Sequence, residues 1–364
     1  MTLKIGIFGA GNGGVTAAAD LTEKGHEVTL YQSPTSKNDL SRIESSGAVS
    51  LNGKPVKIHR FTKDVKSAVQ GNDVIMLTVP APAIEPVAEE LSPYLEDGQY
   101  IMINGASAMS SLRFKRVLRN MKHDVEVRVG ETMSLTYASR YDSETNEAHL
   151  ISYNEHNLFA AFPSRFTEEM LEVLKRMYEH LKPAENIIET TLNNGNPESH
   201  PGPSILNAGR IDTAGDDFYL YKDGITEHTV NIIHEIDKER QEICRALDFE
   251  AVDKSARSIR SGYFRESQSL REQFNTSEIL KDIPGPADLA DRYVTEDVSN
   301  GLVLWASIGD AAGVETPVMD SVITLAGVLL NRDFFQQGVT LSKLGIHPGS
   351  GSELNGLMKY DHTR

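Results

Sequence analysis

Three stretches of the sequence carry groups suited to chemistry. The first is Gly9-Ala10-Gly11-Asn12-Gly13-Gly14, whose glycines 9, 11 and 14 fall at the GxGxxG spacing. A pyrophosphate needs that geometry: a tight turn at Gly9, close backbone approach at Gly11, and a helix packed hard on a strand at Gly14. The start of the next helix would add unpaired N–H groups and a favourable dipole. Gly9, Gly11, Asn12, Gly13 and Gly14 are therefore candidate dinucleotide-binding residues, with a ligand-free glycine turn as the competing reading. The second stretch is polar, Asn193-Asn194-Gly195-Asn196-Pro197-Glu198-Ser199-His200-Pro201-Gly202-Pro203, and places one of eleven histidines just before an apolar helical segment. His200 reads either as a proton carrier or as a loop or capping histidine. The third, Asp291-Arg292-Tyr293-Val294-Thr295-Glu296-Asp297-Val298, couples a guanidinium with carboxylates. A solvated run with Arg292 and Glu296 self-paired at i,i+4 is its alternative. Together, an imidazole, an acid to orient it and an arginine to grip a carboxylate are the parts needed beside a nicotinamide that reduces a C=O or C=N bond.

Which dinucleotide would bind turns on the end of the second predicted strand. An acidic residue there would bond a ribose 2′-hydroxyl, but the chain has Gln32, followed by Ser33, Ser36 and Lys37. Without the carboxylate, repulsion of a 2′-phosphate is lifted, so NADP is favoured over NAD; the other reading has Gln32 serving NAD with Lys37 merely solvated. Val79 and Pro80, and Asn104, close later strands where open α/β sheets bind ligands, although Pro80 also reads as a strand terminator.

These residues require an alternating α/β scaffold ahead of a helical one. Apolar runs closed by Pro, Gly or polar residues predict strands over 3–8, 27–32, 73–79, 99–103 and 125–129, and intervening segments predict helices over 13–24, 83–91 and 110–118. This is the order of βαβ units, hence a doubly wound parallel sheet, which further strands near 148–152 and 158–162 are expected to extend. After about Glu185 the spacing becomes helical: Val230, Ile233, Ile236, Ile243 and Leu247 form one stripe, and Leu302, Ala306 and 311–314 suggest others. The expected division is a dinucleotide-binding domain over 1–185 and an α-helical substrate and catalytic domain over 186–364.

Composition bounds the partners. With 364 residues, 36 Lys+Arg against 52 Asp+Glu and a net charge of −16, the surface field disfavours nucleic acid and anionic membrane. The first residues offer too short an apolar run for a signal peptide, and no stretch approaches the roughly 18 apolar residues of a membrane span. A single cysteine, Cys244, permits neither an intramolecular disulfide nor a two-Cys zinc half-site. The expectation is a cytoplasmic protein with no metal. A homodimer accords with base rates for soluble oligomers, and nothing sharper in the sequence bears on it. Tyr141, Phe218, Tyr219, Tyr221 and Trp305 read as pocket-lining or as core aromatics, the latter being the commoner role.

Order and spacing of several motifs now resemble one family. Gly9 to Gly14, Asn194-Gly195-Asn196 with His200-Pro201, Leu206-Asn207-Ala208-Gly209-Arg210, Arg292-Tyr293 with Glu296-Asp297-Val298, Gly301-Leu302-Val303 and Thr316-Pro317 are similar to the opine dehydrogenases, the octopine/nopaline-type NAD(P)-dependent enzymes. The resemblance runs nearly end to end. It implies a Rossmann domain followed by an all-α domain related to that of 6-phosphogluconate dehydrogenase, with the active site in the cleft between. It implies reversible reductive condensation of an α-keto acid with the amine of an amino acid, through an imine. On this chain His200 would be the acid/base, Asp297 its orienting partner and Arg292 the carboxylate-pairing group; Asn194, Asn196 and Arg210 match family positions that bind substrate or serve packing. The chain departs from the family at Asn104-Gly105-Ala106, where Asn-Pro-Gly is common. Two alternatives accompany this reading: a 2-oxo acid/hydroxy acid reductase on the same scaffold, whose members commonly use a lysine absent from 193–203, and a non-catalytic dinucleotide-binding regulator.

Overall fold

The computed structural model describes residues 2–105, 108–122 and 124–360. Ala106, part of the departure from the family pattern, and Met1 lie outside the described residues. The chain divides into two compact units, Met1–Thr190 and Thr191–Arg364.

The first unit is a doubly wound sheet. Its parallel core comprises β1 (Lys4–Phe8), β2 (Glu27–Tyr31), β5 (Arg60–Thr62), β6 (Val74–Leu77), β7 (Tyr100–Ile103) and β8 (Arg128–Thr132), with β11 (Asn157–Phe162) and β12 (Leu181–Pro183) beyond β8, in the order β12-β11-β8-β7-β6-β1-β2-β5. Side chains alternate as strands buried on both faces demand. Val74, Met76 and Met102 pack on one face, with Ile5, Ile7, Val28 and Leu30. Ile75, Leu77, Ile101 and Ile103 pack on the other against Ile84, Ala88, Phe114 and Leu118 of the helices Ile84–Leu91 and Ser110–Asn120.

Three expectations about this sheet need correction. Residues 157–162 do join it, but β11 runs antiparallel to β8. Residues 148–152 do not: they belong to β10 (Glu147–Tyr153), which forms a separate four-stranded sheet with β3 (Ala48–Leu51), β4 (Lys54–Lys57) and β9 (Tyr137–Asp142), in the order β4-β3-β10-β9. Short, half-exposed strands of this kind leave no long apolar run in the sequence. The strand expected over 125–129 is also displaced, to Arg128–Thr132, because it continues through the buried carboxylate of Glu131. Glu131 Oε2 accepts from the Ser111 N–H at 2.7 Å and Oγ–H at 2.6 Å, at the start of the helix Ser110–Asn120.

The second unit is helical. Val230, Ile233, Ile236 and Ile243 form the buried stripe of the helix Thr229–Ala246, and Leu247 is its buried cap residue. The helices Val303–Ala312 and Pro317–Leu330 pack nearby, and Trp305 is fully buried with its indole N–H donating to the Thr191 carbonyl at 3.1 Å. Among the described residues two π-helical turns occur: Leu220–Gly224, flanked by extended residues at Tyr219 and Ile225, and Asp297–Leu302, between the helices Arg292–Glu296 and Val303–Ala312. Among the described residues no helix is long and apolar enough to cross a membrane.

Candidate active site

In the first unit, the glycine loop joins β1 to the helix Asn12–Glu23, with Gly11 as an N-cap that supplies no side chain. Gly9 has φ of +105°, and a Cβ on Gly14 would collide with the Gly9 carbonyl, so both positions demand glycine. Above Gly11 the space is open: a Cβ there would meet only Asn38 Nδ2, at 3.7 Å. A cap without a side chain at the start of a 12-residue helix leaves N–H groups and dipole for an anion, so these residues fit a dinucleotide pyrophosphate. Asn12 is partly committed elsewhere. Its Oδ1 accepts from the Tyr141 N–H at 2.8 Å, and Tyr137 Oη donates to the Gly13 carbonyl at 2.9 Å, so β9 buttresses the loop.

The residues after β2 form a second brace. Gln32 is buried and donates from Nε2 to the Asn38 carbonyl at 2.8 Å, while Asn38 Nδ2 donates to the Ala10 carbonyl at 2.9 Å. Ser33 Oγ pairs with Thr35, Ser36 Oγ accepts from the Asn38 N–H, and Lys37 is exposed. At the other strand ends, Val79 is half-buried and Pro80 exposed. Asn104 is buried, its Nδ2 donating to Thr136 Oγ1 and its Oδ1 accepting from the Thr136 N–H, both at 3.0 Å. Its amide thus fastens β7 to the segment preceding β9.

In the second unit, folding brings His200 and Asp297 together across 97 residues: Nδ1 and Oδ2 are 2.7 Å apart and both side chains are buried. A carboxylate only accepts, so Nδ1 carries a hydrogen, which leaves Nε2 a lone pair in the neutral ring and an N–H in the protonated one. Nε2 lies 2.6 Å from Tyr221 Oη, and Tyr293 stacks on the imidazole at 4.0 Å and 5°. Burial, with Tyr293 and Asp297 close by, pushes the Tyr221 phenol well above its ordinary pKa, so it is a donor at neutral pH. Tyr221 had been readable only as one aromatic among several, and its proximity to His200 has no local sequence signature.

Arg292 lies on the short helix Arg292–Glu296 just ahead of Asp297. Its Nε is 3.8 Å from Glu296 Oε2, the i,i+4 pairing the sequence allowed, yet its side chain as a whole remains 57% exposed. Burial opposes its charge, but Glu296 and Asp297 outweigh that and raise its pKa. Of the remaining positions, Asn194 is buried and its Oδ1 accepts from the Asn196 N–H at 3.0 Å, turning the chain into the helix Asn196–Ser199, while Asn196 itself is half-buried. Arg210 is exposed and braces the first π turn through the Asp223 carbonyl at 3.3 Å and carboxylate at 3.6 Å.

A buried ionic cluster, not visible in the sequence, supports the His200 segment. Glu198, fully buried, accepts from Arg257 Nη2 at 2.6 and 2.7 Å and pairs with Lys254 Nζ at 2.9 Å. Asp237 bonds Arg240 at 2.8 and 2.9 Å and Arg257 at 3.2 Å. Burial works against the Asp237 charge, but Arg240 and Arg257 prevail and hold its carboxyl down at about 2. Lys254 Nζ also lies 3.2 Å from the Gly195 carbonyl, so tertiary structure does bring a lysine to the 193–203 segment, already engaged with Glu198. Burial lowers its pKa despite that partner.

A dinucleotide loop on a doubly wound sheet and a helical unit with a buried His–Asp pair define the class: an NAD(P)-dependent oxidoreductase. Comparison with known proteins agrees. Residues 4–130 match the NAD-dependent glycerol-3-phosphate dehydrogenase N-terminus, and residues 183–330 match the NAD/NADP octopine/nopaline dehydrogenase alpha-helical domain. The chain is 31% identical over 344 residues to an opine dehydrogenase of Arthrobacter sp. (strain 1C), covering 93% of this chain and 94% of that protein. It is 24% identical to the octopine dehydrogenase of Pecten maximus, over 94% of each chain. Among solved structures, an octopine dehydrogenase with NADH and L-arginine superposes with a TM-score of 0.72 at 19% identity, covering 99% of this chain and 97% of that one. A yersinopine dehydrogenase with NADP+ gives 0.68 at 16%, covering 98% of each. The chain belongs to the opine dehydrogenase family, and it is an oxidoreductase acting on a CH–NH donor.

Proposed function

We propose that this chain condenses an α-keto acid with the amino group of an amino acid and reduces the resulting imine, with NADP(H) preferred over NAD(H). The observation that carries the reading is the buried 2.7 Å contact between His200 Nδ1 and Asp297 Oδ2. Asp297 fixes the tautomer and stabilises the imidazolium, so that the Nε2 side of His200 is the side that exchanges a proton with the substrate oxygen. Protonation lets the carbinolamine hydroxyl leave as water and the nitrogen lone pair form the C=N bond. A bound reduced nicotinamide supplies the hydride. The guanidinium of Arg292, on an exposed side chain, pairs with a substrate carboxylate, and Asn194 and Asn196 shape the turn that leads to His200.

For the cofactor, Gly9, Gly11, Gly13 and Gly14 hold the pyrophosphate, with Asn12 contributing backbone. Support for NADP(H) is that the residue following β2 is a neutral amide, Gln32, which donates one Nε2–H to the Asn38 carbonyl, while Ser33 and exposed Lys37 come after it. No carboxylate stands there to repel a 2′-phosphate.

The test is a matrix of keto acids against amino acids, followed by NADPH and NADH absorbance. Oxidation should require both organic substrates and be faster with NADPH. Turnover with keto acid alone would mark a simple reductase, no turnover with any pair would mark a regulator, and faster turnover with NADH would remove the cofactor preference.

A further inference from the structure

The mechanism above leaves one occupant of the site unexplained. Nε2 has a single hydrogen-bonding position, a lone pair when neutral or one N–H when protonated. Tyr221 Oη, 2.6 Å away, already fills it. A substrate oxygen can reach the imidazole only if Tyr221 withdraws, or if the proton passes through it.

The packing of Tyr221 opposes withdrawal. Its ring stacks on Phe274 at 5.9 Å and 10°, and Phe274 meets Phe264 edge-on at 4.7 Å. Asn275 Nδ2 donates to the Tyr221 carbonyl at 2.7 Å, Asn207 Nδ2 holds the Gly224 carbonyl at 3.0 Å, and Arg210 braces Asp223. Backbone geometry adds an independent sign. Tyr221 and Asp297, the two residues bonded to the His200 ring, each lie in a π-helical turn, and the turn holding Asp297 runs between α-helices, the setting in which such turns concentrate at functional sites.

We infer that Tyr221 is a further catalytic residue, the terminal member of an Asp297–His200–Tyr221 proton relay whose phenol, not the imidazole, meets the substrate oxygen. The inference rests on the condensation reading above. In the forward direction Nε2 is first protonated by the proton that the amino-acid ammonium group releases on becoming the attacking amine; the Tyr221 O–H proton then passes to the carbinolamine hydroxyl, the C–O bond breaks, and water departs as the C=N bond forms. The phenol oxygen takes the Nε2 proton, and the imidazolium returns to neutral imidazole beside Asp297. Charge balances: one imidazolium is consumed and one iminium formed. The high pKa of the buried phenol keeps it from resting as phenolate.

The experiment uses the full chain with NADPH and the best substrate pair. Tyr221→Phe, which keeps the ring and its stacking, should lower kcat at least tenfold with an unchanged melting temperature, and should shift the Nε2 nitrogen resonance of His200. In the wild type, a proton inventory in H2O/D2O mixtures should bow, reporting two protons in flight, a readout that requires no variant. A linear inventory, an unmoved His200 resonance in Y221F, or a shifted resonance with wild-type kcat each overturns the relay. If the wild type turns over no pair at all, the condensation reading itself falls, and the relay with it.

Discussion

Replacing Glu131 by Gln isolates one buried charge and gives a stability change whose sign and size follow from its surroundings. Glu131 is 1% exposed, and burial raises its carboxyl from 4.5 to about 7, against the opposing hydrogen bonds from Ser111 and the charge of Arg113. Below pH 4.5 the folded and unfolded chains both carry the proton. Between 4.5 and about 7 the unfolded chain ionises while the folded chain does not, so the unfolded state gains and stability falls. At about 1.4 kcal/mol per pH unit, that interval amounts to about 3 kcal/mol, and nothing more is lost above it. Glutamine keeps a carbonyl oxygen for the Ser111 N–H and Oγ–H but cannot ionise. Urea unfolding of both proteins from pH 4 to pH 8 should give curves that diverge by about 3 kcal/mol in favour of the variant as pH rises. Titrations common to both chains cancel in the difference. Parallel curves would refute the argument, because they would mean that Glu131 titrates alike in the folded and unfolded states.

His200→Ala should lower kcat by about 10²- to 10⁴-fold while leaving NADPH binding by fluorescence titration intact; unchanged turnover would remove the imidazole from the chemistry. Arg292→Lys should raise the keto-acid KM about tenfold with little change in kcat, since a point charge cannot reproduce a bidentate pair. An unaltered KM would place the keto-acid carboxylate elsewhere. Glu198→Ala leaves Arg257, Lys254 and Arg240 with Asp237 as their remaining acidic partner in the cluster, and should cost about 3–5 kcal/mol in urea unfolding. A loss below 1 kcal/mol would show that the cluster does not support the His200 segment.

Much of the scaffold was legible because its elements are written in periodicity. Residues 3–8 and 27–32 contain β1 and β2 almost to the residue, and the stripe from Val230 to Ile243 marks the face that its helix buries. Where elements escaped, the cause is physical. Residues 54–57 and 60–62 are short, with only Val56 buried, so they lack the apolar run by which a strand announces itself. Residues 147–153 do alternate, but alternation cannot tell which sheet a strand joins. The end of β8 was hidden by Glu131, a carboxylate in a position where apolar residues are the rule.

For the site, local chemistry and long-range geometry separate cleanly. The glycine loop is a contiguous device, since a tight turn, an uncapped helix start and a close helix–strand contact all arise within six residues, and sequence alone determines it. Sequence also named an imidazole, a guanidinium and a carboxylate of suitable type. What it could not determine is their company, because no spacing rule links position 200 to 297, to Tyr221, or Glu198 to Lys254 and Arg257. Those encounters are decided by how the helices pack, and burial is what turns them into strong directional bonds: water no longer competes for the groups, so each must find its partner within the fold.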